Sequence, residues 1–365
     1  MRHDFVHMFG SVTRAGATSL RNQDRCVMWS HPTDGDRLER VVGMFDGHGA
    51  MGEMAAHVAA HLLLDRCATS AKMGAAEWGE FLRDYFRAAH DAIRVSFISL
   101  LGGTYAMAGG NYAMAGGTTA TVCVVVDGCV VTASVGDSDA LIVGGTINAA
   151  SGYYSSGGVE TGGVETGGAA TGTSAGAGYL RLTADHRPTN VDEWRRIQAH
   201  PMPRLTCVYE TPGLAMEIFA ADGSLCPVEG AALYKNARDE FSAYCVLPPQ
   251  LRKPAAHMFG DAAIAMTRSL GDFAAHGLGL TCEPDVSVTR LADLADPAGA
   301  NLPPPYSLAV GTDGIFDCWR YEEFADAARA RVSLGGMIEE SDRRARREFG
   351  GLHDDATLCL IELDM

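Results

Sequence analysis

The chain has 365 residues, 47% of them hydrophobic, and a formal charge of −16 from 45 acidic against 29 basic residues. That length and apolar share support one large core or two ordinary ones and exclude a disordered chain. The acidic surplus argues against a nucleic-acid partner or an anionic membrane surface. The longest apolar run, Val122 to Val135, is broken by Asp127 and Gly128, so no membrane span is expected. Ten cysteines without a CxxC pair read as reduced thiols. With no apolar leader behind Met1 and no glycine at position 2, the expected location is cytoplasmic, with the nucleus as the other compartment of the same redox class.

In chain order, residues 5–29 hold a strand candidate, a Gly/Ser/Thr-rich loop, and Arg21-Asn22-Gln23-Asp24 leading into the apolar Cys26, Val27, Met28 and Trp29. Val41 to Phe45 reads as a buried strand that ends without a spacer in Asp46-Gly47-His48-Gly49. The two glycines leave the backbone bare around His48, so carbonyls and a small ligand can approach closely. Apolar residues at helical spacing predict helices over 50–67 and 77–100. Tyr-Ala-Met-Ala-Gly-Gly then occurs at 105–110 and again at 112–117, and a Gly/Ala-rich loop is expected over 102–117.

Thr118 to Val126 and Cys129 to Val135, joined by Asp127-Gly128, predict a tight hairpin that ends in Gly136-Asp137-Ser138-Asp139. The low-complexity insertion at 144–178 cannot bury enough apolar surface to offset its chain entropy. Order is expected to return at Tyr179, followed by Asp185-His186 and a helix over 192–198. Residues 199–262, rich in proline, cysteine and aromatics without a clean period, predict an irregular flap-like subdomain. Beyond it come Thr267-Arg268-Ser269-Leu270-Gly271-Asp272, an alternating run at Val286 and Val288, and a strand at Leu308–Val310 that runs into Asp313-Gly314-Ile315-Phe316-Asp317. Helices over 321–332 and 336–348, then Asp354-Asp355-Ala356-Thr357 and a strand over 358–363, close the chain.

Asp24, Asp46, Asp137, Asp313 and Asp354 each flank an apolar strand and come from separated parts of the chain. Two readings fit that pattern. The aspartates are independent turn residues, or they converge, in which case their mutual repulsion needs a cation between them. An oxygen-only ligand set selects Mg²⁺ or Mn²⁺, and no His/Cys set accompanies these acids to favour zinc.

A resemblance separates the two. Asp46-Gly47-His48-Gly49, Gly117-Thr118-Thr119-Ala120, Gly136-Asp137-Ser138, Asp185-His186 with Glu193 and Arg196-Ile197 behind it, Thr267 to Asp272, Asp313 to Asp317 and Asp354 to Thr357 resemble the ordered motifs of the type 2C metal-dependent serine/threonine protein phosphatases. The likeness runs from about Gly10 to the C-terminus. It implies an α/β (α+β) four-layer sandwich, with two central antiparallel sheets flanked by helices, as a single catalytic domain over 1–365. By matching position, Asp46 would bridge two Mg²⁺ or Mn²⁺ ions and the Gly47 carbonyl would bind one. Asp313 and Asp354 would complete the first site, Asp24 would act in the second through water, and Asp137 and Asp317 with Asp313 would form a weaker third.

Two such ions would activate a shared water to attack phosphorus, and His48 would protonate the leaving oxygen or, alternatively, only orient a carboxylate. The implied partners are phosphorylated protein substrates, met by a monomer. Departures from the family pattern are Gln23 in place of a glutamate, Ser19 in place of the phosphate-binding arginine, with Arg21 and Arg14 as stand-ins, and Asp139 in place of an arginine. They keep open an alternative of another class, a catalytically weak scaffold or regulatory binding protein. A metal-dependent nuclease is disfavoured by the acidic surface.

Overall fold

The computed structural model describes residues 10–14, 21–30, 39–101, 116–145, 178–211, 214–226, 243–249, 263–295, 301–348 and 354–363. Ser19, the first 105–110 repeat and nearly all of the 144–178 insertion lie outside them. The strands are β1 Gly10–Arg14, β2 Arg25–Ser30, β3 Arg40–Phe45, β4 Gly47–His48, β5 Gly117–Thr118 and β6 Ala120–Val126. There follow β7 Cys129–Val135, β8 Asp139–Gly144, β9 Tyr179–Arg181, β10 Thr206–Thr211, β11 Leu214–Glu217 and β12 Ala243–Val246. The last are β13 Ala263–Ile264, β14 Leu270–Gly271, β15 Asp285–Arg290, β16 Tyr306–Gly311 and β17 Ala356–Leu363. The helices α1, Gly52–Thr69, and α2, Ala75–Leu101, lie between β4 and β5.

Two five-stranded antiparallel sheets carry the fold, in the orders β15-β7-β6-β3-β2 and β1-β17-β16-β8-β9. β3 is buried at every position, and its period of two divides the burial between two cores. Val42 and Met44 meet Leu308, Val310 and Ile361 of the other sheet, whereas Val41 and Phe45 pack beneath α1 and α2. A strand covered on both faces needs no polar alternation, and so its sequence reads as a plain apolar run. On the outer face of the second sheet, Leu141, Ala309 and Leu358 pack against the helices Tyr321–Arg329 and Leu334–Glu348. The hairpin of β6 and β7 turns on Asp127 and Gly128 at φ 48° and 70°, the two positive angles that its tight turn requires.

The structure departs from the sequence reading in four places. β8 was not foreseen: Ala140-Leu141-Ile142-Val143 is too short a run to declare itself, and it becomes a strand by pairing with β16. The described part of 199–262 contains three short strands, β10 to β12, which join β13 in a sheet of order β11-β10-β12-β13 packed on the helix Val191–Gln198 through Ile197, Cys207, Cys245 and Leu280. These strands are two to six residues long, too short for their alternation to stand out. The helix from Tyr321 stops at Arg329 instead of 332, because Arg331 takes a left-handed φ of 55°. Gly117 belongs to β5 and Gly144 to β8, so neither is loop.

Candidate active site

Strand ends deliver the acids. β3 places Asp46 at its exit, where the Asp46 amide donates to Thr119 Oγ1 at 3.2 Å and the Asp46 carbonyl accepts from the Thr119 amide at 2.8 Å. Gly47 follows in β4, paired with β5, and a Cβ there would come within 2.5 Å of the Gly52 carbonyl oxygen and 2.8 Å of that of Gln23. Only glycine fits so close a backbone approach. Asp24 precedes β2, Asp137 lies between β7 and β8, Asp313 opens the helical turn Asp313–Phe316 after β16, and Asp354 precedes β17. Asp317 closes that turn, its amide donating to the Asp313 carbonyl at 2.6 Å.

Asp24, Asp46 and Asp137 are buried, while Asp313, Asp317 and Asp354 are half-buried. Burial, and then the charges of Asp313, Asp24, Asp354 and Asp137, push Asp46 well above the usual carboxylate range. The five aspartates of the sequence reading therefore act on one another, and the groups that act most strongly on Asp46 are all carboxylates. Burial likewise pushes Asp24 up to about 8, Asp355 and Asp313 adding to it against hydrogen bonds from Thr357 Oγ1 at 2.7 Å and Thr312 Oγ1 at 3.1 Å. Those hydroxyls meet Oδ2; the buried Oδ1 of Asp24 has no hydrogen-bond partner among the described residues. A crowd of carboxylates with an unsatisfied buried oxygen fits a hard divalent cation, which neutralises the repulsion and supplies the missing partner.

His48 stands beside this cluster. Its Nε2 is 2.7 Å from Oδ2 of the fully buried Asp272, which also accepts from Ser269 Oγ at 2.6 Å. Burial would lower the imidazole's pKa, but the charge and hydrogen bond of Asp272 outweigh it and raise it above its ordinary value. Asp272 is in turn lowered: His48 more than offsets the upward push of burial. With Nε2 engaged, the nitrogen left for chemistry is Nδ1, which is buried without a partner.

The departures are put to structural use. Gln23 donates from Nε2 to the Gly49 carbonyl at 2.9 Å and from its amide to Asp355 Oδ2 at 2.7 Å, which ties the segment of Asp24 to the segments of Asp46 and Asp354. Arg21 is 81% exposed, with its guanidinium 3.7 Å from Glu53 on α1, so this conformation holds it at Glu53; Arg14 closes β1. Asp139 is fully buried but accepts from Arg181 at 2.7 Å, Thr183 at 2.7 Å and Tyr321 at 2.5 Å, and serves as the anchor of β8 and β9. Sequence reasoning missed three partners: Asp272 for His48, and Thr312 and Thr357 for Asp24. Thr312 directly precedes a quoted motif, and Thr357 and Asp272 each end one, but no local signal tells which side chain each one meets.

Comparison with known proteins agrees with this arrangement. Among solved structures, the serine-threonine phosphatase 2C of Toxoplasma gondii superposes with a TM-score of 0.62 at 16% identity, covering 98% of this chain and 95% of its own. A sex determining protein of C. elegans gives 0.54 at 15% identity, covering 98% of this chain and 65% of its own. The serine/threonine phosphatase Stp1 of Staphylococcus aureus gives 0.52 at 14% identity, with coverages of 98% and 96%. At such identities the likeness speaks for the fold. A search of curated proteins by sequence returned no match. The family model described as protein phosphatase 2C matches residues 10–203, more than half of the chain and a stretch that holds Asp24, Asp46, Gly47, His48 and Asp137. The chain therefore belongs to the protein phosphatase 2C family and is a protein serine/threonine phosphatase.

Proposed function

We propose that this protein hydrolyses phosphoserine and phosphothreonine in proteins with the help of Mg²⁺ or Mn²⁺ held by Asp24, Asp46, the Gly47 carbonyl, Asp137, Asp313, Asp317 and Asp354, and that residues 1–365 work as one catalytic domain and as a monomer. The observation that carries this reading is Asp46, pushed well above its ordinary pKa by burial and then by the charges of four other aspartates. Such a cluster is stable in its charged form only around cations. When bound, these ions supply an acidified water as nucleophile and neutralise phosphoryl oxygens.

The chain's own residues do the rest. Gln23, Thr312 and Thr357 hold Asp24 and its neighbours in place through the hydrogen bonds described above. Asp272 fixes the His48 ring through Nε2 and favours its protonated form, so that the Nδ1 proton is the one available to a departing serine or threonine oxygen. Arg21 lies four residues ahead of β2 in an exposed pair, and turning from Glu53 to a phosphate would exchange a weak surface contact for a paired hydrogen bond.

A catalytically weak binding protein is the second reading, and the exposed pairing of Arg21 with Glu53 favours it. Assay of a phosphothreonine peptide in Mn²⁺ and in excess chelator decides between them: turnover that depends on Mn²⁺ is expected, and turnover in chelator, or in neither condition, overturns the proposal.

A further inference from the structure

Away from the acids, three soft ligands meet where no motif announced them. His90 lies on α2, His276 ends the short helix Phe273–His276, and Cys282 precedes β15, yet one ligand atom from each lies within 4.8 Å of the others. The two imidazole rings are 4.3 Å apart between centroids. Nε2 of His276 is buried and has no hydrogen-bond partner among the described residues, a costly state in a finished interior. His90 adds a second anomaly. Its Nδ1 is 3.3 Å from the Gly271 amide and its Nε2 is 3.2 Å from Arg94 Nη2, so donors face both nitrogens. A neutral imidazole accepts at one nitrogen only, so these two contacts cannot both be hydrogen bonds.

We propose that His90, His276 and Cys282 form a second metal site, separate from the carboxylate cluster, that takes a zinc-class divalent ion through two imidazole nitrogens and one thiolate. Two imidazoles and a sulfur suit zinc, which accepts three protein ligands and leaves a fourth position to water; Mg²⁺ prefers oxygen. Burial keeps both histidines neutral, the ligating form. Cys282 enters as a thiol and loses its proton to solvent as the sulfur–metal bond forms, so affinity rises with pH. Arg94 stands against His90 and is exposed enough to swing aside, while the charge of Arg87 acts on Cys282.

The site has a structural consequence. Asp272, the partner of His48, directly precedes the helix that His276 ends, and Gly271 and Asp272 both have positive φ, at 93° and 42°. An ion bound to His276, Cys282 and His90 fastens this strained backbone to α2, and so fixes the carboxylate that aims His48. This inference does not depend on the proposed reaction.

The test is a titration of the demetallated full chain with Co²⁺, then Zn²⁺, in excess Mg²⁺ to occupy the carboxylates. A single equivalent of Co²⁺ should bind with a thiolate-to-metal charge-transfer band that Zn²⁺ displaces. Cys282→Ser should abolish the band, His276→Ala and His90→Ala should each weaken binding about tenfold or more, and Arg94→Ala should tighten it. All should keep the parent's far-ultraviolet circular dichroism. Absence of a band in the parent, or a band that survives Cys282→Ser or is unchanged in both histidine variants, overturns the proposal.

Discussion

Asp24 and Glu193 are each 4% exposed, and their surroundings drive them in opposite directions. Burial raises both. At Glu193, hydrogen bonds from Arg268 at 2.6 Å, Arg196 at 2.8 Å and Thr267 at 2.7 Å overcome burial and bring the carboxyl down to about 2. At Asp24 the neighbours are further acids, and the carboxyl climbs to about 8. Burial alone therefore does not tell what a buried acid is for; the charge of its neighbours does. The Glu193 region is complete, with two guanidiniums that also reach the Thr267 and Gly279 carbonyls and Asp285, and it pins the helix Val191–Gln198 to the segment at 267–285. At the Asp24 region the completing charge is the cation proposed above.

The comparison breaks most sharply at Asp46. Asp46→Asn is expected to lower Mn²⁺-dependent turnover of a phosphothreonine peptide by about 10³-fold. It should also raise the metal-free melting temperature by about 1–2 °C, since it relieves roughly 1 kcal/mol of repulsion. A fall in that temperature would make Asp46 a structural turn residue and would undo the contrast with Glu193.

Glu193→Gln should do the opposite, at a cost of about 3 kcal/mol in urea unfolding at neutral pH because it removes the buried carboxylate charge that the Arg196 and Arg268 guanidiniums share. The acid dependence carries the sign. The folded carboxyl sits near 2 against an ordinary 4.5, so its stabilisation is fully present above pH 4.5 and is lost as pH falls toward 2. Parent and variant stabilities should converge over that window; a gap that persists at its acid end would mean that packing, not charge, holds the region.

Asp272→Asn sharpens the contrast inside the active site, where a buried acid is satisfied by a histidine. Without the anion that raises His48, the alkaline limb of kcat should move to lower pH and kcat should fall about 100-fold. A fall in rate with an unmoved limb would assign Asp272 to packing alone. The smallest effect is expected at Arg21. Arg21→Ala should raise KM for phosphopeptides about tenfold, the loss of one charged contact of about 1.5 kcal/mol, and leave kcat near the parent's. An unchanged KM would leave phosphate to be held by the metal site alone.

The sequence by itself determined the long apolar strands and the acids beside them. β3 was legible because a strand buried on both faces is an unbroken apolar run, and Asp46-Gly47-His48-Gly49 because a knuckle so crowded against Gly52 and Gln23 tolerates only glycine. Helices α1 and α2 and the β6–β7 hairpin were legible for the same reason, that their signals are local: a 3.6-residue period and an Asp-Gly turn. Only the tertiary structure decided which acids were rivals and which were paired. Asp137 and Asp139 stand two residues apart, yet one joins the carboxylate cluster and the other is neutralised by Arg181, 42 residues away. Nor could sequence have joined His90 to His276 and Cys282, whose separations of 186 and 6 residues fit no spacing rule. Charge pairing and metal ligation depend on distance in space, and beyond a turn or a helix repeat the chain encodes that distance only through the fold.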